Sequence, residues 1–509
     1  MRLLDLPPEI LDLVINLTLP NGLENFVLSC KTIYGRARSQ IQHHNTLKRR
    51  WRHTTNDSYP DSPADTLGIM LGISEDPLIA EYIECLSLWD RRPWDPRPGE
   101  ILPMVSGRSR EYWEDHENHD QMQGIKNLLY TAEYFAKADP EEWWGRMINE
   151  EDITSGEDAD NLYATIALLS LLPNLKTLQL PARWHEVRSG ESAEALVPSV
   201  ESLVSVSNRD GYTLKPLASL ETLLPFVEEG YDVRAGLQCL QPFLVLHGIR
   251  NLYAVSCVAV NEGWGGIPLE WPQSGLKSPL TRVEFAYCCM DTAGLGVLLS
   301  NTPCLTIFKY SHQTKWDGLE FDWNPGEFLE TIANYCGERL LELAITIDEL
   351  HGEVINGLSS FMRFPKLQKL EVDVAAFCGP PLESGQRLGR NATLPEGATA
   401  WAHIDIPCMG DMLPESICEL QVNTDFPEPS EQALRSLFKN IRDRRLDKLL
   451  LLGTTILRQY ASGTAREIAV NHGVILEAFD EDVAAPRPRP MMPQWKREFD
   501  CRVGGIVMA

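Results

Sequence analysis

The chain has 509 residues, 43% of them hydrophobic and 23% charged, and a net charge of −26. That length exceeds one compact core and implies several domains or an elongated repeat array, while the apolar content excludes wholesale disorder. The acidic balance repels phosphate and argues against nucleic acid as a partner, and no apolar run reaches the roughly 18 residues of a membrane-spanning helix.

The charge is unevenly placed. Residues 1–52 hold eight Lys/Arg against four Asp/Glu, which leaves −30 for the remainder. The basic run Lys48-Arg49-Arg50-Trp51-Arg52 reads as a solvated helix end. Met1 to Pro7 carries an acid and a proline where a secretory signal needs an apolar core. Twelve scattered cysteines without a CxxC pair read as reduced thiols. The expected location is intracellular, cytoplasmic or nuclear.

Pro7 and Pro8 suit the first turn of a helix, and Glu9 and Asp12 complement the positive end of its dipole. This helix is expected to run to about Thr18, with Glu9, Asp12 and Asn16 on one narrow polar face. Ile10, Leu11, Leu13, Val14, Ile15 and Leu17 fill the rest of its circumference. A helix so apolar in a small module has to bury more than one side, which predicts a partner by helix-on-helix packing. Pro20-Asn21-Gly22 breaks the chain. A second helix comes after it with Leu23, Phe26, Val27 and Cys30 on one face, and a third carries Tyr34, Ala37 and Ile41.

The ordered set Leu6-Pro7-x-Glu9-Ile10, then Ile15, Leu19 and Leu23, then Leu28-Ser29-Cys30-Lys31 and Tyr34, resembles the F-box. That module docks proteins onto the Skp adaptor of a cullin-based ubiquitin ligase. The resemblance implies an adaptor-binding surface on residues 1–52 drawn from Leu6, Pro7, Ile10, Leu11, Val14, Ile15, Leu23, Phe26, Val27, Cys30 and Tyr34.

Residues 53–78 are polar and turn-rich and read as a linker or an irregular approach to the next domain. From Ile83 a degenerate Leu-x-x-Leu-x-Leu pattern recurs, as Ile83/Leu86/Leu88, Leu175/Leu178/Leu180 and Ile249/Leu252/Ala254. It returns as Leu280/Val283/Phe285, Leu305/Phe308/Tyr310, Leu340/Leu343/Ile345, Leu367/Leu370/Val372, Ile417/Leu420/Val422 and Leu446/Leu449/Leu451. Alternating apolar residues make short strands, and stacking them buries one continuous core. Helices are expected between them at 160–172, 292–300 and 430–442, and from the Asn324 cap and Pro325 to Gly337.

The pattern resembles an irregular leucine-rich-repeat array. The fold expected is therefore α/β: a three-helix F-box (1–52) and then, over 79–480, a solenoid with parallel strands on its concave face and helices on its convex face. Regular repeats keep Asn or Cys eight residues after the first leucine; here Cys257 and Cys288 hold that place in two repeats and Asp348 and Asp425 in two others. Insertions at 89–160, 181–245 and 379–413 break the spacing, as in the long divergent F-box proteins of filamentous fungi, which the chain resembles.

Residues 139–160 carry nine acids against one Arg around Trp143-Trp144, which reads either as a surface for a basic peptide or, preferably, as a packed corner with a solvated loop. The tail, 481–509, with Pro486-Arg487-Pro488-Arg489-Pro490, is expected to be extended and polar, a loose end or a proline-rich ligand.

Catalytic chemistry is not expected. Gly263-Trp264-Gly265-Gly266 lacks the lysine of a phosphate loop, and neither a G-x-S-x-G elbow nor His-Glu-x-x-His occurs. His116 and His119, one turn apart among acids, read as an exposed acidic loop, so no metal, cofactor or catalytic residue is expected. The function implied is that of a substrate-recognition subunit of an SCF-type ubiquitin ligase: the F-box holds the Skp adaptor, and through it a cullin, while the repeats hold an unidentified protein substrate. The alternative is a repeat-built scaffold or regulatory binder that acts without ubiquitination.

Overall fold

The computed structural model describes residues 3–55, 66–88, 119–149, 162–424, 449, 454–460, 466–479 and 492–508, with short gaps inside the longer spans. The chain is α/β and divides into two compact units, residues 1–226 with 246–248, and residues 227–245 with 249–508. The recurring leucine pattern does not mark that division.

The first unit opens with four short helices: α1 (Pro8–Asn16), α2 (Leu23–Leu28), α3 (Lys31–Arg36) and α4 (Arg38–Trp51). The third helix expected from the sequence is thus two, broken at Ala37. Leu11, Ile15, Leu23, Val27, Ile33 and Ala37 form the module's own core. α4 ties the module to the rest of the unit: Trp51 packs against Gly72, and His44 Nδ1 lies 2.6 Å from the Tyr82 hydroxyl.

The described residues of the expected linker carry secondary structure. They contain β1 (His53–Thr55) and α5 (Thr66–Glu75), which is apolar on nearly every side and largely interior, as such a helix must be. Next come α6 (Leu78–Tyr82), β2 (Cys85–Ser87), α7 (His119–Thr131), α8 (Pro140–Asn149), α9 (Leu162–Leu169), β3 (Thr177–Gln179), α10 (Ala193–Asn208) and β4 (Thr222–Leu223). β1 to β4 pair in chain order, all parallel. Insertions 89–160 and 181–245 therefore contribute helices rather than loops alone.

The second unit holds β5 (Ala235–Gly236), β6 (Asn251–Val255), β7 (Cys257–Ala259), β8 (Arg282–Met290), α11 (Thr292–Ser300), β9 (Ile307–Gln313), α12 (Pro325–Cys336), β10 (Glu342–Glu349), β11 (Lys369–Asp373), α13 (Met409–Met412), β12 (Glu419–Thr424), β13 (Thr454–Tyr460), β14 (Ile475–Phe479) and α14 (Gln494–Met508). β6, β8, β9, β10, β11, β12, β13 and β14 lie side by side in one parallel sheet, with β5 and β7 pairing beside the second half of β8.

Local chemistry explains why the helices fall where they do. Asp291 accepts the Gly294 N–H at 2.6 Å to start α11, and Asn324 accepts the Glu327 N–H at 3.0 Å to start α12. Gly337 closes α12, but not through a left-handed turn, since its φ is −52°. A side chain there would meet the Arg363 carbonyl at 2.7 Å, so close backbone approach is what requires glycine.

Alternation along the strands separates two sheet faces. Val283, Phe285, Phe308, Tyr310, Leu343, Ile345, Leu370, Val372, Leu420 and Val422 are all buried on one face, where Phe328 of α12 meets Phe308 and Tyr310. Arg282, Glu284, Lys309, Glu371, Gln421 and Asn423 point the other way.

Two expectations fail at the C-terminal end. Leu446 and Leu451 lie outside the described residues, Leu449 is helical, and the next strand is β13, starting at Thr454. The tail is not merely extended: Gln494–Met508 form α14. The expected helix at 430–442 lies outside the described residues, as does Pro486–Pro490.

Candidate functional site

Two surfaces stand out, one in each unit. The first is apolar and open. On α1, Ile10, Leu13 and Leu17 lie at spacings of three and four and are exposed, Leu17 to 75%. Leu3, Leu4, Leu28 (76%) and Tyr34 are exposed as well. The opposite side of α1 carries Leu11 and Ile15 into the core. A bidentate Arg36–Asp12 pair, 2.5 and 2.6 Å, links α1 to α3 across the module. Exposed leucines concentrated on one small helical module mark an interaction surface.

The eleven residues expected to meet an adaptor therefore separate into two groups. Pro7, Ile10 and Tyr34 are exposed, and Leu6, Val14, Phe26 and Cys30 are partly so. Leu11, Ile15, Leu23 and Val27 are interior, none more than 5% exposed. They hold the module together and cannot themselves touch a partner, which corrects their assignment as contacts. Leu13 and Leu17 escape the motif reading, although the helical spacing of Ile10, Leu13 and Leu17 carries the signal; Leu28 belongs to the motif but is absent from the expected contacts.

The second surface is the charged face of the parallel sheet, and it is covered by α14. Trp495 and Phe499 are buried there, 2% and 3% exposed. The Trp495 indole N–H donates to Thr346 Oγ1 at 3.2 Å, and Phe499 meets the edge of Tyr253 at 5.8 Å between ring centres. Glu371, itself buried, accepts the backbone N–H groups of Gln494 (2.7 Å) and Trp495 (2.8 Å) with its two carboxylate oxygens. It thereby supplies the cap that α14 lacks in its own sequence.

Charge pairs complete the seat. Lys496 Nζ lies 2.6 Å from Asp348 Oδ1 and 3.0 Å from the Tyr287 ring centre. Burial lowers the Lys496 pKa, and Asp348 pulls it back up. Arg502 Nη2 donates to both oxygens of Glu284, at 2.9 and 2.7 Å. Glu284 is fully buried and also accepts from Arg282 at 2.6 Å, so its charge is doubly compensated. A cavity of about 220 Å³ remains beside the helix, lined by Arg282, Lys309, Glu342, Glu371, Gln421 and Arg502 among others.

The repeat-position cysteines have a structural job. Cys257 donates its backbone N–H to Cys288 Sγ at 3.3 Å, and the Cys288 thiol donates in turn to the Ala286 carbonyl at 3.3 Å. Burial raises the Cys288 pKa, which keeps it a thiol rather than a nucleophilic thiolate. Asp348, at the same repeat position, is the partner of Lys496, and Asp425 lies outside the described residues.

Trp143 and Trp144 on α8 are buried, 8% and 4% exposed, Trp143 against Phe135 and Tyr163. They form a packed corner and not an open aromatic pair for a basic peptide. His116 lies outside the described residues, and among those described no group of three His, Cys, Asp or Glu is placed to hold a metal. No helix among them is long and apolar enough to cross a membrane. A scan against protein-family models matches none, and a search of curated proteins finds no match.

Proposed function

We propose that this chain is an F-box-type recruiting subunit: residues 1–52 hold an adaptor of the Skp type, and the second unit, a leucine-rich-repeat-like array, holds a protein target for ubiquitination. The observation that carries the first half is the bare stripe Ile10, Leu13 and Leu17 with Leu28 and Tyr34 on a module that already has a complete core of its own. Apolar side chains left outside a finished core have no intramolecular use, and burying three or four leucines in a partner is worth roughly 1.5–3 kcal/mol each before the costs of association. The Leu6-Pro7-x-Glu9-Ile10 and Leu28-Ser29-Cys30-Lys31 motifs name the class of partner. Repeated parallel strands, with the Cys288 thiol satisfying backbone groups at the repeat position, support the array. The role of the chain is then proximity, raising the local concentration of a target lysine near a conjugating enzyme.

The test is co-purification with a Skp-type adaptor, comparing the unaltered chain with Leu13→Asp/Leu17→Asp. Both positions are exposed, so the variant keeps the fold, checked by circular dichroism, while adaptor recovery falls at least tenfold. Equal recovery from both chains, or none from either, sinks the reading.

A further inference from the structure

α14 is a segment of the chain's own C-terminus seated on the charged sheet face, and its contacts specify a ligand. The residues it inserts are Trp495, Lys496, Phe499 and Arg502, the pattern Trp-Lys-x-x-Phe-x-x-Arg on one helical face. Each has a matching receiver on the strands. Thr346 and Glu371 receive the start of the helix, Asp348 and Tyr287 the lysine, Tyr253 the phenylalanine edge, and Glu284 the arginine fork. The receivers are acidic and aromatic, the chemistry of a basic amphipathic helix lying in a groove.

A second, independent observation says that α14 fills this seat incompletely. Among the described residues, Asp348 Oδ2, Gln421 Oε1 and Asn423 Oδ1 are buried acceptors without a hydrogen-bond partner, and all three belong to the seat or to the strand residues beside it. Asn423 Nδ2 donates to Glu371 Oε1, which fixes its oxygen as the unpaired atom. The Arg502 Nε–H is likewise unpaired. Buried polar groups are ordinarily satisfied, and α14 leaves these acceptors without a donor. The cavity of about 220 Å³ is lined by Gln421 and Arg502 among others and gives a donor room beside Gln421.

We infer that the charged sheet face of the second unit is a receptor for an amphipathic helix of Trp-Lys-x-x-Phe-x-x-Arg character on a partner protein, and that α14 is its resident occupant in cis. The inference deepens the reading of the second unit as target-binding and rests on it: the target presents a basic, aromatic helix carrying donors additional to those of α14. A ligand on the same chain enjoys an effective concentration in the millimolar range, so α14 holds the seat against weak competitors and yields to a better-paired one. The −30 net charge of the chain beyond residue 52 draws a basic helix toward the seat.

The experiment uses the full chain and a fluorescently labelled peptide of residues 492–508, with no adaptor present. Cys501→Pro breaks the middle of α14 at an exposed position and removes no side chain that touches the sheet. The peptide should bind this variant about a hundredfold more tightly than the unaltered chain, whose seat is occupied. Adding Glu284→Gln and Glu371→Gln should cost at least tenfold of that affinity, and a scrambled peptide should not bind. Should Cys501→Pro fail to fold, amide exchange of residues 494–508 in the unaltered chain is read with and without a mass-shifted peptide; faster exchange supports the proposal and unchanged exchange at saturating peptide overturns it. Equal binding by the folded variant and the unaltered chain, or by native and scrambled peptides, also overturns it. Because no adaptor enters the assay, loss of adaptor binding leaves the result untouched.

Discussion

The N-terminal module and the C-terminal sheet face solve opposite problems. The module completes its core with six residues and leaves its remaining leucines bare. The sheet face is charged and would be costly to bury, yet it is the covered one, because α14 brings a countercharge to Glu284 and Asp348 and a backbone donor pair to Glu371. The bare surface is non-directional: any complementary apolar helix face gains by covering it. The covered surface is directional, since a one-residue slip of α14 would leave Glu284 without its arginine fork and Asp348 without its lysine.

Substitutions sharpen that contrast on α1 itself. The largest effect is expected from Ile15→Ala, which opens a cavity in a core of only six buried residues and should cost about 2–5 kcal/mol in denaturant unfolding. A loss below about 1 kcal/mol would mean the module is not packed as described.

The second effect concerns the interior of the other unit. His312 is fully buried, stacked on Trp323 at 4.5 Å between ring centres, with Nδ1 2.9 Å from the Tyr310 hydroxyl. Burial first, and the Lys315 charge second, push its pKa from 6.5 down to about 3. The unfolded chain therefore binds one more proton than the folded chain between those values, and stability contributed there is lost as pH falls from 6.5 toward 3. Relative to His312→Gln, the unaltered chain should lose about 2 kcal/mol between pH 7 and pH 5, read from urea midpoints at each pH. Parallel losses in both chains would count against a neutral buried imidazole.

The smallest effect is the mirror of the first. Leu13→Ala/Leu17→Ala, on the bare side of α1, should shift unfolding by no more than about 0.5 kcal/mol, because nothing covers these side chains in the chain alone. A loss comparable to that of Ile15→Ala would remove the distinction between the core and the open stripe.

Periodicity made several elements legible. Of the nine leucine-pattern occurrences, the eight from Ile83 to Val422 coincide with β2, β3, β6 and β8 to β12. α11 spans the expected Thr292–Ser300, and α12 opens at Asn324-Pro325 and closes at Gly337, as its cap residues imply. The module's apolar excess was legible too, but its direction was not: Leu11 and Leu13 are the same residue type two positions apart, one interior and one bare.

The sequence by itself determined the parallel α/β character of the chain and an N-terminal module with more apolar surface than its core can use, because both arise from periodicities of 2 and 3.6 within short windows. Tertiary structure alone decided which leucines stay outside, that residues 53–78 hold a strand and a helix, and that Gln494–Met508 are a helix. The tail's fate rests on Arg502 meeting Glu284 and Trp495 meeting Glu371, partners 218 and 124 residues away. No local pattern encodes a pairing at such separation. It exists only once the strands have set those carboxylates side by side on one face of the sheet.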